Sequence, residues 1–171
     1  QNRFPKRRKM DKIYVSKEGL QEFLEELEKK RKFLEKNLQF QGEAIRNAPG
    51  DGWHDNFAFE EAIQEERRIS NELQKMILEK QKLEIISEEK KDNNLIYLED
   101  IVCIRFFYSE EDYEEDIVKL TGKYFPVVTA KIKEITINSP LVKALYLQKI
   151  GSKVKYFVNE KEIMVEILEK R

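Results

Sequence analysis

The sequence predicts an α+β protein in which a long antiparallel helical hairpin precedes a small β-rich domain. Two patterns support this prediction. In the first half, apolar residues recur at spacings of three and four, which is typical of a helix that packs along another helix. In the second half, short apolar runs are separated by polar turns, which is typical of strands. The change falls at residues 92–94, Asp-Asn-Asn, which predicts a boundary there between a hairpin over residues 10–92 and a domain over residues 93–171.

The first helix is predicted over residues 17–48. Ser16 stands where an N-cap is expected and Glu18 lies in the first turn. The segment at residues 49–52, Pro-Gly-Asp-Gly, ends the helix because proline and paired glycines do not continue it. The predicted contact face consists of Leu20, Leu24, Leu27, Arg31, Leu34, Leu38, Gln41, Ile45 and Ala48.

A second helix with a similar pattern follows the Pro-Gly break. A short connection between two such helices favours antiparallel packing, because neither helix buries its apolar face alone. The predicted contact face consists of Phe59, Ala62, Glu66, Ile69, Leu73, Met76, Lys80 and Leu83, widened by Ile63 and Ile77. Its polar members, with Arg31 and Gln41 of the first helix, fix the register, are tolerated at the surface or meet a partner.

The second half predicts strands at residues 102–108, 117–120, 127–137, 153–158 and 163–168, with a turn at residues 159–161. A short helix is predicted to begin at Pro140, with Ser139 as its N-cap. The acidic stretch at residues 110–116 is interpreted as a solvated loop between two strands. Cys103 lies in an apolar run and is predicted to be a buried structural thiol.

The composition points to local rather than global electrostatics. Charged residues make up 38% of the chain, yet the net charge is only −1. The apolar runs are too short to span a bilayer, so the sequence predicts a soluble, cytoplasmic protein, taken to be a monomer without a membrane partner. The basic residues among positions 1–9 precede Met10 and form an extension, a remnant of cloning or an arm for nucleic acid.

Two segments resemble motifs of the GreA/GreB family of bacterial transcript-cleavage factors. Residues 50–59, GDGWHDNFAF, are similar to the family's hairpin tip, Gly-Asp-Leu-Ser-Glu-Asn-x-x-Tyr, with one inserted residue. Asp51 matches the first acid, Asp55 takes the place of the glutamate, Asn56 matches the asparagine and Phe59 replaces the tyrosine. Residues 135–145, ITINSPLVKAL, are similar to the family's segment Val-Asn-Ser-Pro followed by a hydrophobic residue, a small residue and Leu.

The resemblance implies a factor that enters the secondary channel of bacterial RNA polymerase tip first and is not itself an enzyme. Asp51 and Asp55 would help to hold a second Mg²⁺ in the polymerase active site, so that the polymerase cleaves the backtracked nascent RNA at its 3′ end. The second domain would be FKBP-like and dock at the channel rim through Asn138, Ser139 and Pro140, with no isomerase activity implied.

Other residues near the predicted tip (residues 47–58) carry further hypotheses. Trp53, with Asn56 and Phe59, would support the tip, and Trp53 is a large apolar group suited to a partner surface. His54 is interpreted as incidental rather than as a ligand. The candidates for contact with RNA phosphates are Arg46, Arg67 and Arg68, although their pattern, with Glu65 and Glu66 nearby, favours a solvated helical face.

Two alternatives to a cleavage factor remain open at this point. One is a related channel-binding protein that inhibits or modulates the polymerase, because Trp53 and His54 enlarge the tip. The other is a coiled-coil adaptor or chaperone without polymerase contact, in which the tip acids are dispensable. No phosphate-binding loop, zinc spacing or nucleophile elbow is present in the sequence, which argues against an autonomous enzyme.

Overall fold

A computed structural model describes residues 12–47, 50, 57–90, 92–129 and 131–171. The predicted fold class is confirmed: a pair of long helices precedes a domain built on a β-sheet. The described residues form two compact units. The helical unit contains residues Leu24–Lys82, and the β-rich unit contains residues 12–23 together with Leu83–Arg171.

Helix α1 spans Lys17–Asn47, close to its predicted range of 17–48, and helix α2 spans Phe57–Lys80. Ser16 caps α1 as predicted, because its Oγ accepts a hydrogen bond from the N–H of Gly19 at 3.0 Å. Within the helical unit the two helices run antiparallel. The early residue Lys30 of α1 reaches the late residue Glu72 of α2, at 2.7 Å.

Of the predicted contact face of α2, Phe59, Ile69 and Met76 are buried, but Ile77 and Lys80 are exposed and Leu83 lies beyond the end of the helix. The contact face of α1 is shifted by one residue in part of its length. Leu38 and Ile45 were predicted to face α2, yet their side chains are 57% and 47% exposed. Asn37 faces α2 instead, and its Nδ2 donates to the carbonyl oxygen of Ala62 at 2.8 Å. At this position a polar contact determines which residue of α1 faces α2. A pattern of apolar residues does not reveal such a contact.

The β-rich unit contains a five-stranded sheet in the order β5-β4-β3-β7-β6, antiparallel except for the parallel β4–β5 pair. Helix α3 packs on one face of this sheet. A separate parallel pair joins β1 to β2. The bounds are β1 Ile13–Val15, β2 Leu83–Ile85, β3 Ile101–Phe107, β4 Tyr113–Thr121, β5 Lys133–Thr136, α3 Pro140–Leu145, β6 Lys153–Val158 and β7 Lys161–Lys170.

The core of the β-rich unit lies between α3 and one face of the sheet. Val142 and Leu145 of α3 are fully buried against alternate strand residues, among them Val102, Ile104 and Val165. Alternation places Cys103 on the opposite face, where it is half-exposed and its Sγ donates to Glu169 at 3.3 Å. The predicted burial of Cys103 is therefore wrong, although its placement in a strand is right.

The acidic stretch is only partly a loop. Strand β4 begins at Tyr113 rather than at residue 117, so Glu114, Glu115 and Asp116 lie in a strand. Glu115 pairs across the strands with Arg105, whose Nε lies 3.0 Å from its Oε1. These cross-strand contacts extend the strand through residues that lack an apolar pattern.

The strand predicted at residues 127–137 is short because Glu134 organises the loop before it. Its carboxylate accepts the N–H of Val127 at 2.8 Å and the ammonium of Lys123 at 3.3 Å. Burial of Glu134 opposes its ionisation, but these two donors outweigh that effect and hold its pKa below the ordinary value of 4.5. The Glu134 side chain therefore bonds to the backbone N–H of Val127, which a longer strand would need for pairing.

The β1 strand is fixed to the rest of the β-rich unit by one side chain. Asn138 accepts the N–H of Tyr14 at 2.7 Å through Oδ1 and donates to the carbonyl oxygen of Tyr14 at 2.8 Å through Nδ2. The N–H of Ser16 adds a bond to Gly122 at 2.9 Å. Residues 12–23 and 83–92 therefore group with the sheet, whereas the sequence predicted that both lie in a hairpin ending at Asp92.

We expect Asn138→Ala to lower the free energy of unfolding by about 2 kcal/mol, because two half-buried backbone groups of Tyr14 lose their partner. Urea denaturation followed by circular dichroism measures the change. Asn93→Ala in an exposed turn is the matched control, with an expected change within about 0.5 kcal/mol. Equal effects of the two substitutions would contradict the role of Asn138 in fixing β1.

Candidate functional site

The predicted tip connects the end of α1 to the start of α2. Of its candidate residues, Asp51, Trp53, His54, Asp55 and Asn56 lie outside the described residues. Their proposed roles therefore stay predictions. The helices that flank them are described, and Asn47 and Phe57 mark the two ends of the connection.

Two phenylalanines begin α2 in contrasting environments. Phe59, which was predicted to support the tip, is only 5% exposed, whereas Phe57 is 78% exposed. Burial of a phenylalanine stabilises a fold by roughly 1.5–3 kcal/mol, so Phe59 fixes the start of α2 beside the connection. The exposed ring of Phe57 is a large apolar group on the same turn of the helix.

The three candidate arginines differ in how far their charges are already compensated. Arg68 donates to Glu65 at 2.9 Å from Nε and to Glu72 at 2.7 Å from Nη1, and the hydrogen bond to Glu65 is the main reason that its pKa is raised. Arg46 and Arg67 are exposed and form no ion pair with another described residue. Among the described residues, no acid compensates their charges, whereas Glu65 and Glu72 compensate that of Arg68.

The polar residues predicted on the contact faces divide into two groups. Gln41 and Glu66 meet across the helices, where Nε2 of Gln41 donates to Oε2 of Glu66. This contact favours the interpretation that they fix the register, because a shift of either helix would separate them. Arg31 and Lys80 are exposed instead.

The Asn-Ser-Pro segment has structural contacts that account for each of its residues. Asn138 bonds to Tyr14, and Oγ of Ser139 accepts the N–H of Val142 at 3.2 Å as the predicted N-cap. Pro140 begins α3, where its missing N–H is not needed. Of the three residues only Pro140 is exposed, so docking of a partner through Asn138 and Ser139 stays a prediction.

The Mg²⁺ that the resemblance implies would be bound through Asp51 and Asp55, which lie outside the described residues. Within the described ranges, no group of three or more histidine, cysteine, aspartate or glutamate residues is arranged to hold a metal ion. Aspartate oxygens are suitable ligands for Mg²⁺, but two carboxylates supply fewer ligands than its six coordination positions. The role of Asp51 and Asp55 as Mg²⁺ ligands therefore stays a prediction.

Asn37 is the residue that the sequence pattern missed in this region. It is half-buried between the helices, three residues from an exposed phenylalanine, Phe40. An asparagine gives no apolar signal, so periodicity assigned the position to Leu38. A search for polar residues one position from the apolar stripe would have found it.

No helix among the described residues is both long and apolar enough to cross a membrane. No family model matches the sequence, and no curated protein matches it.

Several solved structures are similar to this chain over almost its whole length. The GreA factor homologue 1 (Gfh1) of Thermus thermophilus is 18% identical with a TM-score of 0.40, covering 94% of this chain and 99% of that one. Gfh1 of Thermus aquaticus is 18% identical with a TM-score of 0.42, covering 94% and 98%. The elongation factor GreA/GreB of Nitrosomonas europaea is 17% identical with a TM-score of 0.36, covering 93% and 97%.

We expect substitution by alanine to have opposite effects on stability at two glycines near the tip, Gly42 and Gly50. Gly42 lies within α1, and an added Cβ would meet nothing closer than Arg46 at 4.0 Å, so Gly42→Ala should stabilise the protein by roughly 0.5–1 kcal/mol. Gly50 has a positive φ of 62°, so Gly50→Ala should destabilise it by about 1 kcal/mol. Thermal unfolding of both variants measures the difference, and a shift in the same direction for both would contradict this assignment.

Proposed function

We propose that this chain is an elongation factor of bacterial RNA polymerase that stimulates cleavage of backtracked RNA 3′ ends. The observation that carries the proposal is the position of residues 50–59 in the chain. The segment that resembles the GreA/GreB tip connects two long antiparallel helices, which is where the proposed mechanism needs it.

The length of the helical unit supports action inside a partner. From Leu24 to Asn47, α1 extends about 36 Å at 1.5 Å per residue. A pair of helices is narrow along such a length, with a diameter of roughly 10–12 Å for each helix. This arrangement suits insertion into a channel better than docking on a flat surface.

The proposed chemistry assigns a limited task to this chain. The carboxylates of Asp51 and Asp55 supply oxygen ligands, which favour binding of a second Mg²⁺ beside an ion that the polymerase holds. Two such ions stabilise the attacking and leaving oxygens when water cleaves a phosphodiester. The polymerase remains the catalyst, and this chain completes its metal site.

A second candidate function is a channel-binding protein that modulates the polymerase without stimulating cleavage. The tip favours this candidate in one respect, because Gly52-Trp53-His54 replaces Leu-Ser and adds one residue between the two acids. Additional length and bulk there would change the separation of the two carboxylates. Cleavage and binding must therefore be measured separately.

We expect an Asp51→Ala, Asp55→Ala double variant to lose stimulated cleavage by at least about 100-fold, because removal of metal ligands raises the barrier by about 2.7 kcal/mol or more. The assay follows RNA 3′-end shortening in halted, backtracked complexes with Mg²⁺. Affinity for the polymerase, measured in parallel, should change little.

The matched control is a Glu28→Ala, Glu35→Ala variant, which removes the same charge from exposed positions of α1. It should cleave at the native rate. Binding without stimulation by the native protein would overturn the cleavage proposal and support the modulator. Failure of the native protein to bind would overturn both and leave the adaptor alternative.

The arginines provide a separate prediction. An Arg46→Gln, Arg67→Gln variant should bind the backtracked complex more weakly and with a shallower dependence on salt, because each lost phosphate contact removes counterion release. Arg68→Gln should have a smaller effect, because Glu65 and Glu72 already neutralise that charge. Binding titrations at several salt concentrations measure both, and equal slopes for all variants would exclude a phosphate contact.

A further inference from the structure

The outer face of the sheet, opposite α3, has an apolar row that the proposed function does not use. Phe107 of β3 pairs with Tyr113 of β4 on one side and with Met164 of β7 on the other. Alternation places these side chains away from the core, and the ring of Tyr113 is 53% exposed. A continuous apolar row across three strands is therefore accessible from solvent.

A groove of about 420 Å³ runs beside this row. Its wall includes Tyr108, which follows β3 and is 62% exposed. The hydroxyl of Tyr108 donates to Glu114 at 3.0 Å, which fixes the orientation of the ring. The lining side chains include Phe107, Tyr108, Glu110, Lys153, Glu162 and Met164.

Cations already lie over two rings of this face. The guanidinium of Arg105 is 4.5 Å from the ring centroid of Tyr113, and Nζ of Lys153 is 5.2 Å from that of Phe107. Both distances are within the range of a cation–π contact. No described cation lies over the ring of Tyr108, so one aromatic surface of the groove remains open to another positive group.

The turn between β3 and β4 adds uncompensated negative charge at the edge of the groove. Glu110, Glu111 and Asp112 are exposed, and none of them forms an ion pair with a described residue. The strand acids beyond them differ, because Glu115 pairs with Arg105 and Asp116 pairs with Lys133. Three adjacent free carboxylates attract a cationic ligand and repel phosphates.

We propose that this groove binds a segment of a partner protein that presents an arginine or lysine beside an apolar side chain. The apolar side chain packs on Phe107 and Met164. The cation lies over Tyr108 and within reach of Glu110, Glu111 and Asp112. The negative charge of the groove edge favours this cationic occupant over a nucleic acid. All residues of the groove belong to the β-rich unit.

The experiment titrates the full chain, labelled with ¹⁵N, with the peptide acetyl-Gly-Phe-Arg-Leu-Arg-Gly-amide and follows backbone amide shifts. We expect shifts concentrated at residues 107–113 and near Met164. Tyr108→Ala should weaken binding about three- to fivefold, the value of one cation–π contact. A Glu110→Gln, Glu111→Gln, Asp112→Asn variant should weaken it about tenfold at low salt, less at high salt.

A Glu28→Gln, Glu35→Gln, Glu60→Gln variant changes the net charge equally at exposed helical positions and should bind like the native protein. The proposal is overturned if the peptide with glutamates in place of its arginines shifts the same amides, if the control variant loses as much affinity, or if no shift occurs. Sedimentation showing a dimer that Tyr108→Ala dissociates would also overturn it, because the groove would then serve a second copy.

Discussion

The start of α1 lies so close to the loop after β4 that two glycines face each other there. A Cβ on Gly19 would lie 2.2 Å from the carbonyl oxygen of Gly122, and a Cβ on Gly122 would lie 2.6 Å from the Cβ of Ser16. This contact brings the N–H of Ser16 to Gly122 and allows Asn138 to hold Tyr14. The capped first turn of α1, β1 and the loop before β5 are all positioned by this approach.

The sequence predicted best those features whose signals are local. Ser139 and Pro140 identified the start of α3, and the turn between β6 and β7 was found at Asn159 and Glu160, whose positive φ values of 48° and 66° suit a tight hairpin. Strands β1 and β2 were missed because three residues carry no detectable alternation. Their pairing is set by a distant part of the chain, which periodicity does not report.

The sequence suggested which types of residue form the candidate site, but not which partners those residues contact. The acids and the tip were suggested by a resemblance of a few residues, since no physical pattern distinguishes Asp51 and Asp55 from turn or capping aspartates. The structure separates the basic candidates by their partners, which a sequence does not reveal for residues on adjacent helical turns. The sequence did not predict the apolar row on the outer face of the sheet, because its residues alternate with core residues and belong to three separate strands.

The parallel pairing of β1 with β2 has a kinetic consequence. Ile13 pairs with Leu83, roughly 70 residues later, and closing a free loop of that length costs about 4 kcal/mol of chain entropy. Prior formation of the antiparallel helices shortens the effective loop, because α1 starts two residues after β1 and α2 ends three residues before β2. We therefore expect the folding rate of the whole chain to depend on prior formation of the helices, so that substitutions that weaken them slow the closure of a ladder that they do not touch.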